Sequence, residues 1–140
     1  MRAKFICESI NDLLKPKTKE EILKNLNPIH KDVEFKQNHK VHGIGTDFIG
    51  YLNISYSKLV KLFGKPYMFD DPYNITMEWM LDSNYRDVVT IYDYKATNFY
   101  YKDFLTIQQL KKLNSFKWHI GGYNKEVLND FLYFVYKNIM

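Results

Sequence analysis

Ile75-Thr76-Met77-Glu78-Trp79-Met80-Leu81, then Asp82-Ser83-Asn84, then Val88-Val89-Thr90-Ile91-Tyr92-Asp93-Tyr94: this stretch decides the fold. In the first run Ile75, Met77, Trp79 and Leu81 alternate onto one face, the period of a half-buried strand. Asp82-Ser83-Asn84 is turn chemistry. The second run is rich in β-branched and aromatic residues, which suit a pleated surface. The two runs predict an antiparallel hairpin. The Asn84-to-Asp87 turn has no Asp-Gly pair, so its geometry stays open.

Working outward, Ser55 opens a helix over Tyr56–Phe63, with Leu59, Val60 and Phe63 at helical spacing. Gly64 suits its C-terminal cap and Pro66 follows. After the hairpin, Thr106 to Leu113 can form a short helix. Phe116-Lys117-Trp118-His119-Ile120 reads as a strand closed by Gly121-Gly122. Asn124 then caps a last helix whose apolar face carries Val127, Leu128, Phe131, Leu132 and Val135. Toward the N-terminus, Val41 to Ile54 is β-like, with a bend or bulge at His42-Gly43-Ile44-Gly45. Thr18 and Glu21 make a capping box for a helix that Asn27-Pro28 stops. Leu13 to Lys17 ends a short helix or an extended lead-in before it. Lys31 to Lys40 is polar and reads as a mobile connection. The expected fold is α+β: an antiparallel sheet of three to four strands, helices packed on one face, and an N-terminal helical arm. Residues 1–40 would form the arm and linker, and residues 41–140 the α+β domain.

The 140 residues fit one domain with a sizeable core, to which 12 Tyr and 10 Phe contribute. The single cysteine, Cys7, excludes an internal disulfide and a multi-cysteine zinc site. No run approaches the roughly 18 apolar residues of a membrane span. Arg2 and Lys4 are not followed by an apolar stretch, so a cytoplasmic protein is expected. The net charge of +4 is a mild bias, and Arg2 and Arg86 are the only arginines. That argues against sequence-specific nucleic-acid recognition, which favours arginine forks.

No Gly-x-Ser-x-Gly elbow, P-loop, His-Glu-x-x-His or dinucleotide fingerprint is present. His30, His39 and His42 lack the spacing of a metal site, and neither a metal nor a cofactor is expected. Chemistry-bearing residues concentrate at two places. In Tyr92-Asp93-Tyr94-Lys95, strand alternation puts Asp93 and Lys95 on one face, where they suit a polar ligand or a solvent-facing ion pair. In Trp118-His119-Ile120-Gly121-Gly122, His119 points away from Trp118 and Ile120. The glycines precede a helix N-terminus that can receive an anion, or simply permit a sharp turn. Glu78 alternates away from Trp79, so it is expected beside Asp93, Lys95 and His119. The candidate catalytic residues are therefore His119, Asp93 and Glu78. The candidate ligand-binding residues are Lys95, Asp93, Trp118, His119, Gly121 and Gly122. Of the tyrosine-rich segments, Phe99-Tyr100-Tyr101 in a loop suits an interface, including one with a second copy, whereas Tyr133 to Tyr136 in helix-forming sequence suits a half-buried core.

Phe63-Gly64-Lys65-Pro66, Glu78-Trp79, Thr90-Ile91-Tyr92-Asp93-Tyr94-Lys95 and Trp118-His119-Ile120-Gly121-Gly122 together resemble a group of small proteins of unassigned activity encoded by tailed bacteriophages and large DNA viruses. The resemblance spans Ser55 to Val135. It implies a viral protein of the host cytoplasm and hands over no catalytic residues. The helix, Gly-x-Pro and Trp-bearing hairpin are also similar to small lipoprotein and inhibitor modules that bind proteins through a sheet face. The leading expectation is a binding module that engages a host or viral protein, or a small anionic ligand, through the polar sheet face and the Gly-Gly turn. The alternative is a small enzyme or sequestering protein for a nucleotide-like anion, with His119 as acid/base, Asp93 or Glu78 orienting it, and Lys95 as anion clamp.

Overall fold

Strand β4 (Met77–Ser83) and strand β5 (Val88–Tyr92) pair antiparallel, with Trp79 opposite Ile91 and Glu78 opposite Tyr92. The computed structural model that places them describes residues 18–40, 45–70 and 72–139. The lead-in ending at Lys17, Cys7 and the His42–Ile44 bend lie outside the described residues. The turn between β4 and β5 closes without glycine. The Arg86 N–H donates to the Ser83 carbonyl at 3.0 Å, and Arg86 itself takes the left-handed conformation at φ 64°.

The other elements, in chain order, are α1 (Lys19–Asn25), β1 (Phe35–Gln37), β2 (Asp47–Ile54), α2 (Tyr56–Phe63), β3 (Tyr67–Met68), α3 (Ile107–Lys112), β6 (Phe116–Gly122) and α4 (Glu126–Ile139). Caps set the helix starts. Thr18, Ser55 and Thr106 accept from backbone N–H groups three residues on, and Asn124 accepts from Val127 N–H. Gly64 ends α2 at φ 83°, donating its N–H to the Val60 carbonyl.

The strands form one antiparallel sheet in the order β1-β4-β5-β6-β2, and β3 shares the outer edge of β4 with β1. The fold is α+β as expected, but the sheet has six strands, not three to four. The two extra strands, β1 and β3, are three and two residues long. Such short pieces form because β4 offers them an open edge, not because of a pattern of their own. The polar stretch Lys31 to Lys40 therefore does not serve as a free connection: Val33 and Phe35 are buried in the core. The expected division at residue 40 falls inside the unit, since β1 lies before it and in the sheet.

One sheet face is the core. Met77, Trp79, Leu81, Ile91, Trp118, Ile120 and Leu52 are buried there against Leu59 and Phe63 of α2 and Val127, Phe131 and Val135 of α4. Trp79 and Trp118 meet edge to face at 5.2 Å. Their indole N–H groups donate to the carbonyls of Gly64 (2.8 Å) and Ile54 (3.0 Å). Both tryptophans thus bury their polar edge at no cost in unmade hydrogen bonds, and they tie both ends of α2 to the sheet.

Candidate functional site

The opposite face is built by the same parity. Residues that alternate away from the tryptophans line up across five strands: Tyr67, Glu78, Tyr92, His119 and Tyr51, each opposite the next. The neighbouring row holds Met80, Thr90, Gly121 and Phe48. Cross-strand neighbours of this kind stand roughly 4.5–5.5 Å apart at Cβ, so their rings touch. His119 has four aromatic neighbours: Tyr51 at 5.0 Å, Phe48 and Tyr94 at 5.4 Å, and Tyr92 at 5.6 Å between centroids.

This face holds an open cavity of about 550 Å³, lined by Thr46, Phe48, Tyr51, Ile75, Glu78, Thr90, Tyr92, Tyr94 and His119. That volume and mix of aromatic walls with a few polar groups is typical of a small-ligand site. Thr90, which lines the cavity, packs over Gly121 of β6. A Cβ there would lie 2.4 Å from the Thr90 hydroxyl oxygen, so only glycine fits beneath it.

Electrostatics follow from burial. Loss of water, with the nearby Lys117 charge adding to it, holds the His119 imidazole below its ordinary pKa. Its Nδ1 is buried without a hydrogen-bond partner. Burial pushes the Glu78 carboxyl up, and pushes up the Tyr92 phenol, which also feels the Glu78 charge. Buried polar atoms in native proteins are usually satisfied, so the unpaired Nδ1 is a local cost of packing the imidazole among these rings.

The expected site residues divide. His119 and Glu78 share the open face, with Tyr92 between them, so they are not a hydrogen-bonded acid/base pair. Asp93 is not on that face. It is fully buried and accepts from Thr76 N–H at 2.8 Å, Met77 N–H at 3.0 Å and the Thr76 hydroxyl. Burial raises its pKa against the pull of those donors. Asp93 is thus a brace holding the start of β4 and neither a ligand contact nor an orienter of His119. Lys95 follows the strand in a left-handed conformation (φ 53°), outside the cavity lining. Its ammonium sits 5.0 Å from the Tyr94 centroid and 5.2 Å from that of Tyr100. Trp118 is in the core and cannot meet a ligand on the other face. Gly121 and Gly122 are the last residues of β6 and not a turn. Gly122 is pressed against Ile49 and Val127, so the pair serves packing.

Buried Val89 and Ile91, not the charged residues, set the faces of β5. Their alternation puts Asp93 on the core side and Thr90 and Tyr92 on the opposite side, where Thr90 is itself buried. Tyr51 and Phe48 come beside His119 only through the pairing of β2 with β6, because β2 shifts register between Phe48 and Gly50.

Elsewhere, Asp130 of α4 is buried and accepts from the N–H groups of Ile29 (2.6 Å) and His30 (3.2 Å). Its second oxygen lies 3.1 Å from His30 Nδ1. The His30 ring stacks on Tyr85 at 3.6 Å. His30 is therefore a structural clasp between the segment after α1 and the body. Among the described residues, no three of His, Cys, Asp or Glu are grouped to hold a metal ion, and no helix is long and apolar enough to cross a membrane. No protein-family model matches the chain, and no curated protein matches it.

Proposed function

We propose that this protein is a binding module whose ligand is received on the sheet face turned away from α4, in the aromatic cavity around His119. The observation that carries the reading is the cross-strand row Tyr67-Glu78-Tyr92-His119-Tyr51. A solvent-facing sheet surface is ordinarily built of charged and small polar residues. This one presents rings that half-bury an imidazole and a carboxylate. Exposed aromatic surface of this kind marks interaction sites. The separation of Glu78 from His119 by Tyr92 favours binding over acid/base catalysis, which needs the two groups within hydrogen-bond reach.

The sequence pointed to a host or viral protein, or a small anion, as partner. On the present reading a protein partner would insert a side chain into the cavity, and a small ligand would enter it whole. Action inside an infected cell rests on the sequence resemblance alone.

The test is an amide-correlated NMR titration with a library of small amines, nucleotides and neutral aromatics. Shifts should cluster on Thr90, Tyr92, His119 and Tyr51, and His119→Ala should remove them. Shifts confined to the Lys95–Phe104 segment, or none with any compound, would overturn the reading.

A further inference from the structure

We infer that the cavity is a receptor for an organic ammonium group, held by the Glu78 carboxylate and the Tyr92 ring. This rests on the reading that the open face is the binding site, and it names the chemistry of what binds there.

The first support is charge. Of the described residues lining the cavity, Glu78 is the only carboxylate, and no lysine or arginine lines it. Glu78 forms no hydrogen bond or ion pair with another described residue. A half-buried carboxylate is costly without a partner, and a cation brought by a ligand supplies one. The imidazole of His119, beyond Tyr92, has its pKa lowered by burial, which weakens any repulsion it would offer a cation.

The second support is the rings. Tyr92 and Tyr94 meet edge to face at 89° with centroids 6.4 Å apart, and both line the cavity. Aromatic faces carry negative potential and attract ammonium groups, most strongly where water is excluded. The chain already uses rings of this wall in that way. The Lys117 ammonium lies 4.0 Å from the Tyr51 centroid and that of Lys95 5.0 Å from the Tyr94 centroid. An anion in the cavity would meet the Glu78 carboxylate and the ring walls directly, and the Lys95 and Lys117 ammonium groups only beyond its lining. The sequence-based expectation of an anionic ligand relied on Lys95, which lies outside the lining, and on a Gly121-Gly122 turn, whose residues instead end β6.

An ammonium group can arrive as a free amine or as an alkylated lysine side chain of a protein, and the cavity chemistry is the same for both. The probes are therefore choline, a trimethyllysine peptide, the neutral choline isostere 3,3-dimethylbutan-1-ol, and adenosine monophosphate, each titrated by NMR into the full chain. Choline or the peptide should move the Glu78, Tyr92 and His119 resonances and bind about tenfold tighter than the isostere. Tighter binding of choline identifies a free amine, and tighter binding of the peptide a protein source. Glu78→Gln keeps the shape and should weaken the cation about tenfold while leaving the isostere unchanged. The spectrum of the variant verifies its fold. Equal affinity for the isostere, or tighter binding of the nucleotide in the cavity, would overturn the ammonium assignment and leave the cavity reading standing. If none of the four probes moves cavity resonances, both fall.

Discussion

Glu78 and His119 face the same way across the sheet with Tyr92 directly between them. Two interstrand spacings put their backbones roughly 10 Å apart. The imidazole is therefore tuned by burial and by the Lys117 charge, not by the carboxylate.

A pH dependence follows. A histidine whose folded pKa is lowered binds its proton more weakly in the folded than in the unfolded chain. Its contribution is full above the unfolded value near 6.5 and is lost as pH falls through the folded value. Unfolding free energy measured by urea titration should decline below about pH 6.5. In His119→Phe that part of the decline should vanish. The variant should also gain about 1 kcal/mol at neutral pH, because the orphaned Nδ1 is gone.

Asp93 should behave as a structural brace. Asp93→Ala leaves the N–H groups of Thr76 and Met77 and the Thr76 hydroxyl without their acceptor. Its expected cost is about 3 kcal/mol or more, from donors worth roughly 1–3 kcal/mol each. Asp93→Asn keeps one oxygen for the two N–H groups and should cost about half as much. Equilibrium denaturation of the three proteins decides it.

Gly121 and Thr90 should be energetically coupled. Gly121→Ala drives a methyl into the Thr90 hydroxyl and should cost about 1–3 kcal/mol. With Thr90→Ala in the same chain the obstacle is removed and the cost should fall below about 1 kcal/mol. A double-mutant cycle measures the coupling.

The clasp at Asp130 predicts local loosening. Asp130→Ala removes the acceptor for Ile29 and His30 N–H. A loss of about 2–4 kcal/mol is expected. Amide exchange should accelerate at residues 29 and 30 more than in β4 and β5, read by hydrogen–deuterium exchange.

Local patterns carried much of the architecture. The hairpin alternation, the caps at Ser55 and Asn124 and the stop at Gly64 each depend on a few neighbouring residues, so their placement was legible. Strands β1 and β3 were not, because Phe35–Gln37 and Tyr67–Met68 are too short for a period to declare itself. Val33 and Phe35 do alternate with Asp32, Glu34 and Lys36, but their burial depends on the edge that β4 offers. Within the site, the outward direction of His119 and Glu78 followed from the tryptophans beside them.

What the chain order determined alone was direction: Trp79 and Trp118 go inward, so Glu78 and His119 go outward, because consecutive side chains on a strand alternate. What the tertiary structure decided was company. Which outward residues become neighbours depends on strand order and register, and these are settled by packing the whole core against α2 and α4. That is why Tyr92, Tyr51 and Phe48 surround His119, while Asp93 turns inward to hold the start of β4.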